Sequence, residues 1–472
     1  MIRALIVTLF VWSALIAQSS VKDSIVKIYT VSKIPNYSVP WNSNIKRSHG
    51  SGSIINGDRI LTNAHVVADE TFIEVKRYGQ TQRYEAEVEF ISHQADLALL
   101  KVKDKAFFAG TKSLELGTIP KVLQAITVYG FPMGGNSLSV SNGIVSRIEH
   151  NRYAHSQEIF LSIQIDAAVN PGNSGGPAIS DGKIVGVVMQ QIRKSQNIGY
   201  LVPTEVIKHF LDDVKDKKYN GFAHLGVGTQ KMENEALRSV YKMKRDTTGV
   251  MVMDISKKSS AFNILKKNDI LLAIDGHSIE NDGTVEFIEQ QFTSYKYYVD
   301  KKQLGDSIVF KVLRDAKVIE LEIELTNIAD DNLLVNTLAH DVMPEYFIYD
   351  GYVFTPLTRN LFNGNRSTLL KLREAAGEWA TDEKDEVVIL LNVLADKSNR
   401  GNHNFALWVV DMVNSQKFKN FDAFKSIIQN FKGKYIILEN EDGVKIAIDR
   451  ENAIESEASI LQRYSIKSSQ NE

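Results

Sequence analysis

The segment Val169-Asn170-Pro171-Gly172-Asn173-Ser174-Gly175-Gly176-Pro177 surrounds one serine with small residues, a pattern typical of a tight loop. Because glycine adopts backbone conformations that other residues resist, N–H groups in such a loop can converge on one point. The backbone of Gly172, Asn173 and Ser174 is therefore a candidate oxyanion hole, with the N–H groups of Gly172 and Ser174 as donors. The Ser174 hydroxyl is a candidate nucleophile, and an ordinary Gly-Asn-Ser turn is the alternative.

A base and an acid that would activate this serine lie upstream. A serine hydroxyl attacks poorly unless a neighbouring base accepts its proton, and His65, in Asn63-Ala64-His65-Val66, is the candidate base. Asp96, which leads the apolar run Leu97-Ala98-Leu99-Leu100, is the candidate group that orients the imidazole. Taken singly, the two residues are more typical of a core histidine and a strand-end turn. Together with Ser174 they predict a catalytic triad.

Short β-branched runs separated by Gly, Asn and Pro surround these segments from residue 21 to about residue 211, which predicts an all-β barrel or sandwich. The predicted strands cover residues 24–31, 52–55, 59–62, 97–102 and 125–129. Thr204 is a candidate cap for a helix over residues 205–213, and the charged residues 212–218 are a predicted linker.

Two further units follow, each with mixed β and α character. Residues 221–326 contain predicted strands at 250–254, 270–274, 307–313 and 318–325, and a predicted helix at 284–292. Residues 332–464 contain predicted strands at 386–394 and 434–438 and a predicted helix at 421–431. The polar residues 467–472 are expected to fray.

Composition limits the chemistry. The chain has 472 residues, and its 55 Lys+Arg nearly cancel its 57 Asp+Glu, so no global field favours nucleic acid or an anionic membrane. The absence of cysteine excludes disulfides, a thiol nucleophile and a Cys-based zinc site. His65, His93 and Asp96 could suggest a metal site, but no second acidic residue stands at a ligand-like spacing. We therefore predict no metal and no cofactor.

The first residues differ from the rest of the chain. Arg3 precedes an apolar run over residues 4–16, and Ala17-Gln18-Ser19 offers small residues at the positions that specify signal cleavage. The run is shorter than the roughly 20 residues that span a bilayer. We predict a signal peptide over residues 1–19, with an uncleaved membrane anchor as the alternative.

The three motifs, in the order His65, Asp96, Ser174, resemble the chymotrypsin-clan serine proteases of the Deg/HtrA family. Gly50-Ser51-Gly52-Ser53 and Asn197-Ile198-Gly199-Tyr200-Leu201-Val202-Pro203 also resemble that family. Tyr37-Ser38-Val39-Pro40-Trp41 and Val353-Phe354-Thr355-Pro356-Leu357 resemble its plant-type branch, which carries two PDZ domains.

This resemblance implies a mainly β protein. A two-lobed trypsin-like double β-barrel protease domain is expected over residues 20–217, a PDZ domain over 218–327, a second PDZ-like α+β domain over 328–466 and a polar tail over 467–472. Members of the family assemble into trimers or multiples of trimers, so a homo-oligomer is expected. The second PDZ-like domain departs from the family pattern, and we expect it to contribute to oligomer contacts and regulation.

The resemblance also implies two binding regions. The pocket for the residue before the scissile bond corresponds to Val187, Met189, Gln190, Asn197, Ile198 and Gly199. The carboxylate-binding loop of the first PDZ domain corresponds to His224, Leu225, Gly226 and Val227, whose N–H groups would hold a peptide C-terminus while the peptide adds as a strand.

The expected activity is that of an ATP-independent serine endopeptidase that hydrolyses unfolded or damaged exported proteins. Its expected partners are such polypeptides and peptide C-termini, not nucleic acid, and no stable membrane span is expected after signal cleavage. The bacterial periplasm is the expected location. A proteolytically silent PDZ-containing holdase is the main alternative, and a PDZ-based signalling adaptor is a weaker one.

Overall fold

The computed structural model describes residues 21–133, 135, 137–191, 198–362 and 370–471. The predicted signal peptide lies outside the described residues. The chain forms two compact units. The first contains the described residues up to Lys33, Ile45–Asp254 and Asn263–Thr326, and the second contains Ile34–Asn44, Ile255–Phe262 and the described residues from Asn327 onward.

A closed barrel begins the first unit, with strand order β1-β2-β3-β6-β5-β4. The strands are β1 (Ile25–Pro35), β2 (Ser43–Ile55), β3 (Arg59–Thr62), β4 (Glu70–Arg77), β5 (Tyr84–Ser92) and β6 (Leu97–Val102). Helix α1 (Ala64–Val67) follows β3 directly, and a 3-10 turn covers Lys105–Phe108. Inward-facing β-branched side chains on these strands fill the barrel with a continuous apolar core, which fixes the strand register.

A second closed barrel follows, with strand order β10-β11-β12-β9-β8-β7. The strands are β7 (Ala125–Gly130), β8 (Ser139–Arg152), β9 (Ile159–Ile165), β10 (Pro177–Ser180), β11 (Lys183–Gln191) and β12 (Gly199–Pro203). Helix α2 (Thr204–Asp213) and a 3-10 turn (Val214–Asp216) follow the second barrel. The linker predicted over residues 212–218 is therefore helical in its first part. The two six-stranded barrels confirm the predicted double-barrel fold.

The remainder of the first unit is an α+β fold whose main sheet runs β13-β14-β15-β19-β20, with β16 paired to β15 and a separate β17-β18 hairpin. The elements are β13 (Val227–Lys231), α3 (Glu235–Val240), β14 (Val250–Ile255), β15 (Ile270–Ile274), β16 (His277–Ser278), β17 (Thr284–Ile288), β18 (Gln291–Ser294), α4 (Lys296–Asp300), β19 (Ser307–Arg314) and β20 (Lys317–Glu324).

The helix predicted over residues 284–292 is wrong. Residues 284–288 and 291–294 form the β17-β18 hairpin instead, with Val285 paired to Thr293. Both of these side chains are buried, whereas Glu286 and Phe292 lie on the more exposed face. Over so short a window the apolar spacing fits a period of two as well as one of 3.6, so the pattern alone did not decide between them.

The hairpin and α4 dock on the second barrel within the same unit. The buried His150 of β8 bonds to Thr293 through Nδ1 at 2.7 Å and to the Asp300 carboxylate through Nε2 at 3.1 Å. Tyr297 of α4 is part of the apolar cluster that contains the barrel core. This α+β fold is therefore packed against the barrel through both polar and apolar contacts.

The second unit contains two four-stranded sheets, with orders β21-β22-β23-β24 and β26-β25-β27-β28. The strands are β21 (Phe347–Tyr349), β22 (Tyr352–Pro356), β23 (Val388–Val393), β24 (Trp408–Val410), β25 (Met412–Val413), β26 (Gln416–Lys417), β27 (Tyr435–Glu439) and β28 (Lys445–Asp449). The helices are α5 (Ala329–Asn332), α6 (Leu370–Ala375), α7 (Phe421–Asn430) and α8 (Arg450–Arg463), with a 3-10 turn at Arg359–Phe362.

Residues 469–471 are hydrogen-bonded to the second unit, in contrast to the predicted fraying of the tail. Gln470 pairs with Phe347, and the Ile348 N–H donates to the Ser469 carbonyl at 2.7 Å. The Asn471 side chain accepts from the Tyr346 N–H at 3.1 Å. The polar composition suggested a free tail. It gives no information about β21, the edge strand with which this tail pairs. Among the described residues, no helix has the length and apolar character needed to cross a membrane.

Candidate active site

The proposed base and its carboxylate partner form a hydrogen-bonded pair in which the carboxylate is buried and the imidazole is partly exposed. His65 lies in α1, directly after β3, and Asp96 lies directly before β6, the strand that pairs with β3. His65 Nδ1 lies 2.8 Å from Asp96 Oδ2 and 3.0 Å from Oδ1, and the His65 backbone N–H donates to Oδ1 at 2.9 Å. Asp96 is 1% exposed, so its carboxylate is dedicated to this histidine.

The local backbone explains this placement. Asp96 has φ 53°, in the left-handed region that aspartate tolerates better than most side chains, and it closes a turn in which its N–H donates to the His93 carbonyl. The Asn63 amide donates to the Asp96 carbonyl at 2.8 Å, which ties the segment of the base to that of the acid. The turn thus aims the carboxylate at the imidazole.

Each member of the pair changes the pKa of the other. Burial opposes the charged imidazolium, but the Asp96 carboxylate raises the pKa of His65 above its ordinary value. Burial likewise opposes the carboxylate, but the charge and hydrogen bonds of His65 lower the pKa of Asp96. The carboxylate therefore stays ionised at neutral pH and stabilises the imidazolium that forms when the base takes a proton.

Ser174 lies in the loop before β10, half-buried, where segments of the two barrels meet. Its carbonyl accepts from the Ser51 N–H at 2.8 Å. A Cβ added to Gly50 would lie 3.2 Å from the Ser174 carbonyl and 2.6 Å from Val66, the residue after His65. The Ser174 hydroxyl donates to the Met189 carbonyl at 3.3 Å, and within the described residues it makes no hydrogen bond to His65.

The loop around Ser174 has the backbone orientation that an oxyanion hole requires. The carbonyl oxygens of Pro171, Gly172 and Asn173 accept from the Met133 N–H at 2.7 Å, the Ser51 hydroxyl at 2.8 Å and the Gly176 N–H at 2.9 Å. Each bond holds its peptide group so that the N–H points the opposite way. Within the part of the chain that the structure describes, the N–H groups of Gly172 and Ser174 have no hydrogen-bond partner.

Asn173 does not contribute a donor, which corrects the predicted set. Its N–H donates to the Asn170 carbonyl at 3.0 Å and so cannot also bind an oxyanion. The turn that makes this bond is what brings the flanking N–H groups of Gly172 and Ser174 to the same side. The candidate hole is therefore a pair of donors.

Comparisons with known proteins agree with this geometry. The trypsin-like peptidase domain family matches residues 50–187, and PDZ domain families match residues 223–325 and 335–472. The mitochondrial protease Do-like 4 of Arabidopsis thaliana is 38% identical over 94% of this chain and 84% of its own length. The chain belongs to the Deg/HtrA family of serine proteases. It is therefore a serine endopeptidase, with a trypsin-like double barrel and PDZ domains.

Other comparisons extend this result. The chloroplastic protease Do-like 2 of Arabidopsis thaliana is 35% identical over 96% of this chain and 76% of its own length. Among solved structures, the HtrA-type protease AlgW with tripeptide matches with TM-score 0.52 and 25% identity, over 66% of this chain and 95% of that chain. The Deg/HtrA relationship thus covers nearly the whole sequence.

The structure places the predicted substrate pocket of this Deg/HtrA chain only in part. Val187 is fully buried in the core of the second barrel and offers no surface to a substrate, so we remove it from the predicted set. Met189 is buried and accepts from Ser174 through its carbonyl, while Ile198 is half-buried before β12. Asn197 and the side chain of Gln190 lie outside what the structure describes.

Val169 packs against the predicted pocket residue Gly199, a contact that no motif indicated. A Cβ added to Gly199 would lie 2.6 Å from a methyl group of Val169, so these two residues face each other directly. Val169 stands just upstream of Pro171 in the serine segment. Its contact with Gly199 depends on the fold, so the sequence pattern did not predict it.

The predicted carboxylate loop of the first PDZ domain is partly closed by its own side chain. His224, Leu225, Gly226 and Val227 line a cavity of about 30 Å³ together with α4 residues that include Lys296. A cavity of that size has room for only a few water molecules. The Gly226 N–H donates to His224 Nδ1 at 3.2 Å, and burial, with the nearby Lys296 charge, lowers the pKa of His224 to about 4. His224 is therefore a neutral acceptor at pH 7.

Proposed function

We propose that Ser174 is the nucleophile of this endopeptidase, His65 its general base and acid, and Asp96 the group that orients His65. The Ser174 Oγ attacks the peptide carbonyl carbon while His65 Nε2 takes the hydroxyl proton. The carbonyl oxygen becomes an oxyanion that the N–H groups of Gly172 and Ser174 stabilise. The observation that carries the proposal is the hydrogen bond from His65 to the buried Asp96 carboxylate, beside a serine loop in which two N–H groups have no partner among the described residues.

The second half of the reaction follows from the same groups. Collapse of the tetrahedral intermediate breaks the C–N bond, and His65 gives its proton to the leaving amine, which leaves an acyl group on Ser174. A water molecule then gives a proton to His65 and attacks the ester carbonyl. The bond between the acyl carbon and the Ser174 oxygen breaks, His65 returns the proton to that oxygen, and the carboxylic acid product leaves. Water is the only co-reactant, which supports ATP-independent cleavage.

We infer that the substrates are unfolded or damaged polypeptides. Cleavage within a chain requires an extended segment to reach Ser174, and such segments are exposed when a protein unfolds. The first PDZ domain would bind a peptide C-terminus at residues 224–227 once His224 releases the Gly226 N–H. The AlgW structure compared above is of that protease with a tripeptide, which supports peptide binding as a property to test here.

Export and self-assembly are further parts of the proposal. The apolar run at residues 4–16 and the absence of cysteine support export of a chain that does not depend on disulfides. The bacterial periplasm remains our proposed destination. The relatives named as mitochondrial and chloroplastic make an organelle the competing one, and fractionation of cells that express the full chain separates the two. A homo-oligomer is proposed on the family relationship and is testable by light scattering.

The experiment that tests the activity is cleavage of casein by the purified chain and by Ser174→Ala. Loss of cleavage in the variant alone supports the nucleophile, and equal cleavage by both would overturn its role. The bond from Ser174 to the Met189 carbonyl favours one second candidate, a latent chain that holds polypeptides without cutting them. Protection of unfolded casein from aggregation, with no cleavage by either form, would favour that holdase.

A further inference from the structure

The side chain of Ser51 lies where three segments of the protease domain meet. Ser51 is on β2, is fully buried, and belongs to neither the triad nor the oxyanion hole. Its hydroxyl donates to the Gly172 carbonyl at 2.8 Å and accepts from the Phe131 N–H at 2.8 Å. One hydroxyl therefore connects the first barrel, the segment after β7 and the loop that carries Ser174.

The backbone of Ser51 adds two connections at the same point. Its N–H donates to the Ser174 carbonyl at 2.8 Å, and its own carbonyl accepts from the Thr62 hydroxyl at 2.7 Å. Thr62 ends β3 just before the segment that carries His65. The positions of the nucleophile and of the base thus both depend on this one residue of β2.

Gly172 makes such an anchor necessary. It has φ 98°, which glycine adopts freely, and no side chain limits rotation of the peptide groups on either side. The carbonyls of Pro171 and Asn173 are held by backbone N–H groups, whereas that of Gly172 is held by the Ser51 hydroxyl. Within the described residues, this is the one side-chain donor to these three carbonyls. Without it, the Gly172–Asn173 peptide group is held only at its other end, by the Asn173 N–H bond to the Asn170 carbonyl.

We propose that Ser51 is a positioning residue for the oxyanion hole. Its hydroxyl holds the Gly172–Asn173 peptide group, which joins the two peptide groups that carry the Gly172 and Ser174 N–H donors, and so keeps those donors facing one point. The inference rests on the proposed roles of Ser174 and its loop. It adds a residue that touches no reacting atom and acts through the peptide backbone of Gly172.

Ser53 provides a matched control on the same strand. It is also fully buried, and its hydroxyl has no hydrogen-bond partner among the described residues. Ser53→Ala therefore removes a buried hydroxyl from β2 without removing a bond to the loop. A general effect of altering this strand would appear in both variants, whereas loss of the anchor appears in Ser51→Ala alone.

The test measures kcat and KM for casein with the full chain, Ser51→Ala, Ser51→Cys and Ser53→Ala. We expect Ser51→Ala to lower kcat about tenfold or more with KM within about twofold, because the oxyanion forms only along the reaction path. Ser51→Cys should give an intermediate kcat, since a thiol is a weak donor. Ser53→Ala should keep the parental kcat within about twofold. Equal kcat in the two alanine variants would overturn the proposal.

Labelling by a fluorophosphonate probe separates this inference from the proposed function. The probe reacts with an activated serine and places a phosphoryl oxygen in the oxyanion hole. We expect Ser51→Ala to label more slowly by about the same factor as its kcat falls, at temperatures where thermal unfolding shows it to be folded. If that variant does not fold, Ser51→Cys decides, and a folded Cys variant with the parental labelling rate would contradict the proposal. Labelling of Ser174→Ala at the parental rate would instead contradict the nucleophile.

Discussion

Asp96→Asn tests the proposed triad most directly, because its effect follows from the hydrogen bonds at this buried position. The carboxylate accepts from His65 twice, from Nδ1–H and from the backbone N–H. An asparagine has one side-chain oxygen, so an NH₂ group must replace either Oδ1, which accepts from the backbone N–H, or Oδ2, which lies nearest to Nδ1. If the oxygen stays on the backbone N–H, the amide NH₂ faces Nδ1 and favours the tautomer with its proton on Nε2. In that tautomer Nε2 carries a proton and has no free lone pair with which to accept the Ser174 proton.

We expect kcat of Asp96→Asn for casein to fall by roughly 10³–10⁴, the scale at which an acid-to-amide change in a triad acts through the wrong tautomer. Asp269→Asn is the matched control. Asp269 is 2% exposed and pairs with Arg314 at 2.6 Å in the first PDZ domain, so this change lowers the thermal unfolding temperature and leaves kcat near the parental value. A kcat in Asp96→Asn above about one-tenth of the parental value would refute the orienting role.

The same variant gives a pH dependence with a defined sign. Activity needs neutral His65, and Asp96 raises the pKa of that imidazole, so the acid limb of kcat/KM lies above the ordinary histidine value of about 6.5. Removing the carboxylate charge lowers that pKa and moves the limb to lower pH in whatever activity remains. An acid limb at the same pH in both proteins would show that His65 is not the titrating base.

Two other predictions concern glycine-rich segments. His224→Ala frees the Gly226 N–H to bind a peptide carboxylate. Fluorescence anisotropy with a dye-labelled peptide should therefore show binding of the peptide C-terminus that is at least about threefold tighter, the scale of one hydrogen bond. Unchanged affinity would exclude competition by His224. Gly175→Ala should abolish casein cleavage, because its Cβ would lie 2.1 Å from the Ser51 carbonyl. Gly182→Ala is the control, because Gly182 has a similar φ of 75° but open space around it. It should lower the free energy of unfolding by only about 1 kcal/mol and keep the parental kcat. Cleavage of casein by both variants would contradict the packing argument.

Several strands were predictable because their apolar runs are bounded by clear turn residues. The bounds 59–62, 97–102 and 270–274 agree with β3, β6 and β15. The β17-β18 hairpin could not be predicted in this way, because the pairing of Val285 with Thr293 is known only from the folded structure. Hydrophobic periodicity reports which side chains are buried but not which strand covers them.

At the site too, the sequence predicted which residues take part, whereas their hydrogen bonds were known only from the folded structure. The three triad positions stand in short distinctive segments, and the structure brings His65 and Asp96 into contact. The status of Asn173 depended on a hydrogen bond to Asn170, which requires the folded turn. The closure of the PDZ loop depended on the rotamer of His224, which composition does not encode.

The small residues of the serine segment are required by the approach of neighbouring backbone, and not by turn geometry alone. Gly176 does not have a positive φ, yet a Cβ there would lie 2.0 Å from the Tyr129 carbonyl. A Cβ at Gly172 would lie 2.5 Å from the Phe131 carbonyl. Both acceptors belong to the segment that also donates to Ser51 and to the Pro171 carbonyl. The glycines therefore let the loop come close enough for those bonds, and the bonds in turn orient the two N–H groups that would meet the oxyanion.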